Sequence, residues 1–173
     1  MPVYRGDVRI LGVCGSLQTH SKNLALLKVA AKSVPPGVRL LLFDGLRELP
    51  HFNPDIELEG VPESVHRWRQ TLAESDAVLV ACPEYGFSLP GALKNGIDWV
   101  IGSGELEGKI VAITAAVPAP GRGRRGLQAL RDTLSAVRAT IIGGEPISFG
   151  PEFDAEIAQL VRTLIEAVMA ARG

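Results

Sequence analysis

Histidine and cysteine are scarce in this chain, and neither stands in a metal-binding pattern. His20, His51 and His66 have no ligand spacing relative to the cysteines or carboxylates, so no metal site is expected. Cys14 and Cys82 are the only cysteines, too few for a disulfide framework. A reduced, cytoplasmic setting is the default expectation. No apolar run approaches the roughly 20 residues that span a bilayer, and the opening "MPVYRGDVRI" lacks the apolar core of a secretion signal. Neither sign of charge dominates: 18 Lys and Arg stand against 19 Asp and Glu. No electrostatic argument therefore favours nucleic acid or a membrane surface. No G-x-S-x-G nucleophile elbow is present. Aromatic residues make up only 5% of the chain, yet Tyr85, Phe87 and Trp99 gather in one stretch, "PEYGFSLPGALKNGIDWV".

What is present is an ordinary globular composition, 46% hydrophobic and 21% charged over 173 residues. That length fits a single domain, residues 1–173, with a full core. Short runs dense in Val, Ile, Leu and Ala recur at Val8–Gly15, Val38–Phe43, Ala77–Cys82, Lys109–Thr114 and Ala139–Gly143. They are near-continuous, not alternating, as in strands buried on both faces of a parallel sheet. Helical patterns lie between them. Ser21–Val34 places Leu24, Leu27 and Ala31 on one face; Glu63–Glu74 carries Trp68 and Leu72. Pro90–Ile101 has proline at its first helical position. Leu127–Val137 and Glu152–Ala171 follow, the last with Ile157, Leu160, Val161, Leu164, Ile165 and Val168 at helical spacing. Glu48–Gly60 is polar and proline-broken and reads as a loop. The alternation predicts a doubly wound α/β sandwich of five parallel strands. Ligands of such sheets bind beyond the carboxyl ends of the strands, at the switch point of the strand order.

Three segments fall at that edge. "GSLQTHSKN", after the first strand, sets Gly15, Ser16, Ser21 and Asn23 ahead of a helix. Hydroxyls, an amide and free N–H groups at a helix N-terminus suit a phosphate. The alternative is that Ser21 only caps the helix and Ser16 only makes a turn. After the third strand, Pro83-Glu84-Tyr85-Gly86-Phe87-Ser88 places rings where a planar ligand could lie, or where they could simply pack on helices. Pro83 ends that strand because it cannot donate to the ladder, and Gly86 permits a positive φ. Cys82 reads as the end of a buried strand rather than a reactive thiol. After the fourth strand, Gly121, Gly123 and Gly126 spell G-x-G-x-x-G, with Glu145 further on. Five residues after Ala115, including Pro118 and Pro120, separate the first glycine from the expected strand end. Arg122, Arg124 and Arg125 crowd the glycines. The segment reads as a basic loop, in which one guanidinium could meet the phosphates of a nicotinamide cofactor, and not as a dinucleotide fingerprint.

"GSLQTHSKN" joined to "PEYGFSLPGALKNGIDW" resembles the NADPH-dependent FMN reductases, over most of the chain from Val8 to about Gly143. The specific part is the run of Pro83, Glu84, Tyr85, Ser88, Pro90, Leu93, Lys94, Asn95, Ile97, Asp98 and Trp99. The resemblance implies a flavodoxin-like three-layer α/β sandwich with a five-stranded parallel sheet of order 2-1-3-4-5. It implies FMN as cofactor and NADPH or NADH as reductant. Ser16, Gln18, Ser21 and Asn23 would hold the FMN phosphate, with a backbone contact from Leu17. Pro83, Glu84, Tyr85 and Gly86 would meet the ribityl chain and isoalloxazine, and Ala116, Val117 and Gly123 would border the ring's other edge. Lys94, Asn95, Asp98 and Trp99 would be structural or part of an oligomer contact. Three departures stand out: Gln18 where the family usually has Arg, Gly86 where it often has Asn, and Ala116, Val117 and Arg122 where it has small hydroxyl residues and paired glycines. They imply weaker FMN binding than usual, or FMN used as an exchangeable substrate.

The expectation is therefore an FMN-dependent NAD(P)H oxidoreductase. It passes electrons to a small acceptor such as a quinone, free flavin, metal oxyanion or azo compound, and it assembles as a homodimer or homotetramer. No side chain is assigned as a catalytic acid or base, because the cofactor carries the chemistry. Two alternatives stay open: a non-enzymatic FMN-binding electron carrier or redox-responsive module, and a flavin-free Rossmann domain resting on Gly121–Gly126.

Overall fold

The computed structural model describes residues 7–173. Its strands are β1 (Val8–Cys14), β2 (Val38–Phe43), β3 (Ala77–Ala81), β4 (Ile110–Val117) and β5 (Thr140–Ser148). All neighbouring pairs are parallel, in the order β2-β1-β3-β4-β5. The helices are α1 (Lys22–Lys32), α2 (Pro54–Glu59), α3 (Glu63–Ala73), α4 (Gly91–Asp98), α5 (Arg124–Ala136) and α6 (Phe153–Arg172), with a 3-10 turn at Gly45–Glu48. This is the expected flavodoxin-like topology.

The near-continuous apolar strands divide by parity between two cores. Ile10, Ala77, Leu79, Ala81 and Ala112 face one side, under Leu26, Leu27 and Ala30 of α1 and Ile157, Val161 and Leu164 of α6. Leu11, Val13, Val78, Val80, Val111 and Ile113 face the other, under Trp68 and Leu72 of α3, Leu93 and Ile97 of α4, and Leu127, Leu130 and Leu134 of α5. Because the chain steps from β1 out to β2 and then back across to β3, the connections after β1 and β3 diverge. A crevice opens at their carboxyl ends.

Several boundaries differ from the sequence reading. The buried stripe of α1 is Asn23, Leu26, Leu27 and Ala30, not Leu24, Leu27 and Ala31. On that face the Asn23 side chain turns inward and accepts the Ala116 N–H at 2.9 Å. Pro90 sits one position before α4, at its N-cap. The supposed loop at Glu48–Gly60 contains α2, capped by Asn53, whose Oδ1 accepts the Asp55 N–H at 3.0 Å. β4 runs on to Val117, and β5 continues beyond Gly143 to Ser148, across a register irregularity opposite Ile113–Ala115.

The "ALKNGIDW" half of the aromatic-rich stretch is structural. Asn95 accepts the Phe52 N–H at 2.8 Å and donates to the Pro50 carbonyl at 2.9 Å. The Trp99 Nε1 donates to the same carbonyl at 2.8 Å. Lys94 pairs with Asp98 one turn along, and the ring of Phe52 meets Trp99 edge-on. Together they lash the segment after the 3-10 turn to α4.

At the opposite edge of the sheet, Asp76 joins three elements. Its Oδ2 accepts the Arg9 N–H at 2.8 Å, its own N–H donates to the Arg9 carbonyl, and Arg172 pairs with it at 2.6 Å. Burial pushes its pKa up, but the Arg9 N–H and the Arg172 guanidinium outweigh that and hold it below the ordinary carboxylate value. A depressed carboxylate contributes stability that is present above its unfolded-state pKa and lost as pH falls through the folded value. Asp76→Asn should therefore destabilise the protein at neutral pH, and the gap to the unsubstituted chain should shrink on acidification below about pH 4. Thermal midpoints measured across that range check it; a gap independent of pH contradicts it.

Candidate functional site

Three strand-end loops meet at the crevice, and each is tied to the next. The first, Gly15–Ser21, begins where the Gly15 N–H donates to the Ala81 carbonyl at 2.9 Å. Ser21 caps α1, its Oγ accepting the N–H groups of Asn23 and Leu24 at 3.2 and 3.4 Å. Ser16 makes a turn, its Oγ accepting the Gln18 N–H at 3.2 Å. Both local roles are therefore real, yet they leave donors over. Among the described residues the N–H groups of Leu17, Thr19, His20 and Lys22 have no protein acceptor. The Nδ2 of Asn23, a residue only 5% exposed, has none either. Donors without acceptors at a helix N-terminus form a cradle for an anion.

The second loop, after β3, folds on itself. Tyr85 and Ser88 exchange backbone hydrogen bonds at 2.9 and 3.0 Å around Gly86 and Phe87. Those two residues have φ of 57° and 62°, the pattern of a type I′ turn. Glycine adopts this freely, whereas an aromatic residue there is strained. The turn thrusts Phe87 outward, 67% exposed, with the Arg125 guanidinium 4.2 Å over its ring. Tyr85 turns the other way, its hydroxyl 3.2 Å from Ser16 Oγ, bridging the first two loops. Cys82 lies buried behind them. Burial, and secondarily the neighbouring Cys14, push its thiol up to about 12, so it stays protonated and unreactive at neutral pH.

The third loop, 118–123, joins β4 to α5. Glu84 of the second loop accepts the N–H groups of Arg125 and Gly126 with one carboxylate oxygen, at 2.9 and 3.0 Å. The N-terminus of α5 therefore already holds an anion. This is the physical reason that Gly121, Gly123 and Gly126 are not a pyrophosphate fingerprint. β4 reaches Val117, so three residues, 118–120, precede Gly121 and not the five expected from sequence. The glycines have other causes. Gly123 has φ 82°, and a Cβ there would lie 2.9 Å from Val117. A Cβ on Gly126 would lie 2.9 Å from the Glu84 Cα. Glu145, the would-be ribose ligand, pairs with Arg124 at 2.9 Å.

The loops enclose two hollows. A cleft of about 670 Å³ is lined by Pro83, Glu84, Phe87, Ala116, Val117 and the basic loop from Gly121 to Arg125. This brings together five of the expected site residues: Pro83, Glu84, Ala116, Val117 and Gly123. Ser16, Leu17 and Gln18 line a different hollow of about 540 Å³, toward the end of β2. The Ser16–Tyr85 and Asn23–Ala116 hydrogen bonds join the two halves. Phe87, one of the two rings expected at this edge, lines the large cleft, but its positive φ is not displayed by the sequence. One participant escaped the sequence reading. Arg47 donates to the Leu17 carbonyl at 2.8 Å from the 3-10 turn after β2, and only the strand order makes them neighbours.

The family model for NADPH-dependent FMN reductases matches residues 8–153. A Pseudomonas aeruginosa protein named NAD(P)H-dependent FMN reductase is 39% identical over 130 residues, 74% of this chain and 70% of its own. A Pseudomonas putida quinone reductase is 35% identical over 125 residues, 70% of this chain and 67% of its own. Among solved structures, FerB from Paracoccus denitrificans, a flavoenzyme NAD(P)H:(acceptor) oxidoreductase, superposes with a TM-score of 0.84. It is 27% identical, with 94% of this chain and 98% of that one covered. An archaeal flavodoxin, 14% identical, shares the fold with a TM-score of 0.68 over 94% of this chain and 99% of that one.

The Glu84–α5 junction makes a prediction whose sign is diagnostic. Alanine normally stabilises a helix over glycine by up to about 1 kcal/mol. At Gly126 its methyl would press on the Glu84 Cα and the Ser88 carbonyl, so Gly126→Ala should instead destabilise by about 1–3 kcal/mol. Glu84→Gln, which keeps the shape but loses the charge at the helix dipole, should cost about 1 kcal/mol. Denaturant unfolding measures both; a stabilised Gly126→Ala protein contradicts the close approach.

Proposed function

The chain belongs to the NADPH-dependent FMN reductase family, and we propose that it is an FMN-dependent oxidoreductase that uses NADPH or NADH to reduce a small acceptor. The observation that carries this reading is the continuous rim of three stitched loops, with an anion cradle at one end and a large cleft at the other. FMN has the matching chemistry, a phosphate joined to a flat ring system. The residues fit it on this structure's own terms. Unpartnered N–H groups and the spare Asn23 amide suit the phosphate, and a cleft of about 670 Å³ with Pro83, Ala116 and Val117 in its wall suits the ring.

In this reading Ser16, Gln18, Ser21 and Asn23, with the Leu17 backbone, hold the phosphate, favoured by the N-terminus of α1. Pro83, Tyr85 and Gly86 run along the ribityl chain and ring, while Ala116, Val117 and Gly123 border the far edge. Glu84 acts chiefly as a positioning residue, because its carboxylate is committed to α5. FMN, when bound, supplies the hydride and electron transfer. The protein supplies orientation, and Pro83, Ala116 and Val117 give the ring an apolar wall. Backbone N–H groups near the ring stabilise charge there. A small-molecule acceptor of the quinone, free flavin, metal oxyanion or azo class fits an open cleft of this kind. Assembly as a homodimer or homotetramer, a single domain and a cytoplasmic setting belong to the same proposal and rest on the family resemblance. Among the described residues no helix is long and apolar enough to cross a membrane.

The basic loop is not uniform. Arg124 pairs with Glu145 and Arg125 lies over Phe87. Among the described residues Arg122 lines the cleft with no ion-pair or ring partner, which makes it the guanidinium available to a nicotinamide cofactor's phosphate.

The purified protein should be yellow and release FMN on denaturation. Anaerobic NADPH or NADH should bleach it within seconds. A flavin left oxidised at millimolar nicotinamide would sink the enzyme reading and favour an electron carrier. Arg122→Ala should raise the KM for NADPH about tenfold; steady-state kinetics with unchanged KM for both nucleotides would remove Arg122 from the site.

A further inference from the structure

We propose that Arg47, from the turn after β2, is the guanidinium that recognises the phosphate held by the first loop; this rests on the FMN reading above. The cradle at Ser16–Asn23 has donors but little charge of its own. Gln18 is neutral, and the Lys22 ammonium lies 5.4 Å from the Phe149 ring, on the α6 side. Donor groups alone would bind a phosphate dianion without neutralising it.

The strand order brings a cation to this place from elsewhere in the chain. β2 lies beside β1 in parallel register, with Val13 opposite Phe43, so the segment after Phe43 emerges next to the first loop. That segment is the 3-10 turn Gly45–Glu48, pinned by Leu46 and Leu49, which are 4% and 8% exposed in the α3–α4 core. Between those anchors Arg47 projects from a fixed base. Its Nη2 donates to the Leu17 carbonyl at 2.8 Å. It shares the hollow of about 540 Å³ with Ser16, Gln18 and Thr19, and with Lys28 of α1, the other cation in its lining, whose point charge on a flexible stem lacks the guanidinium's planar fork.

The partners of nearby arginines sharpen the assignment. Arg67 pairs with Glu48, and Arg69 with Glu57 and the Trp99 carbonyl. Arg47 has no carboxylate partner among the described residues, although Asp44 lines the same hollow. A guanidinium carries five N–H donors in a planar fork, and one carbonyl does not exhaust them. One edge of the fork holds the loop's backbone, and the rest is free for phosphate oxygens. Asn23, in the first turn of α1, makes its side-chain hydrogen bond through Oδ1, so its Nδ2 donors remain free of protein acceptors beside the same loop.

The test is the difference between FMN and riboflavin, which share the ring and ribityl chain and differ by the phosphate. Apoprotein is titrated with each, following quenching of flavin fluorescence. Arg47→Ala should weaken FMN about tenfold and leave riboflavin within twofold, and it should flatten the dependence of FMN affinity on salt. In the same background Gln18→Arg, which puts a guanidinium on the loop itself, should recover most of the preference for FMN over riboflavin. Unchanged FMN affinity in Arg47→Ala overturns the proposal while leaving the FMN reading intact. Equal losses for FMN and riboflavin also overturn it, since Arg47 would then only hold the loop's shape. An unsubstituted chain that binds neither flavin overturns both readings.

Discussion

The carboxylate of Glu84 at the N-terminus of α5 is the constraint on which the crevice depends. A parallel sheet delivers its loops to one edge but does not say how they pack there. Here one oxygen of Glu84 takes two helix N–H groups that would otherwise go unsatisfied. The second loop is thereby pulled against α5 so closely that only glycine fits at position 126. That contact sets the cleft wall at Pro83, Glu84 and Phe87 against the opposing basic loop. The same contact occupies the anion-binding end of α5 and leaves the N-terminus of α1 as the open one.

From that wall the rest of the site follows by short steps. Tyr85, released from the strand by Pro83, reaches Ser16 and ties the second loop to the first. Asn23 turns inward from α1 and ties the helix to the end of β4. Both are buried or half-buried polar contacts between elements far apart in sequence, and such contacts are costly to leave unmade. The tight turn at Gly86–Phe87 holds an exposed ring in a strained conformation, with a cation over its face. Strain of that kind persists only where surrounding bonds over-determine it. The reciprocal Tyr85–Ser88 hydrogen bonds are those restraints.

Much of this was legible in the residues. Dense Val, Ile and Leu runs separated by amphipathic segments specify strands buried on both faces. The proline and glycine positions around Pro83 and Gly86 mark a strand end and a turn with positive φ. The misreadings have local causes. The α1 stripe differs from its apolar spacing because a polar residue, Asn23, belongs to the buried face, its amide satisfying a backbone N–H of β4. β4 and β5 run past their dense apolar stretches, through Ala115-Ala116 and Gly143-Gly144, because small residues weaken the local strand pattern but the ladder to the neighbouring strand continues. α2 leaves no periodic signal because it is a short polar helix with no buried face, framed by Pro54 and Gly60. The glycines at 121, 123 and 126 were rightly set aside, but the decisive reason, an occupied helix terminus, lay in a carboxylate some forty residues upstream.

By itself the sequence determined the class of sheet, the places where its strands end and the kinds of groups gathered there, because periodicity, proline and glycine act over a few residues. Only the tertiary structure decided which of those groups meet. Glu84 and Gly126, Ser16 and Tyr85, Asn23 and Ala116, Arg47 and Leu17 are brought together by strand order and helix packing. No local pattern encodes them, since each pairing is a contact between surfaces that exist only after the chain has folded.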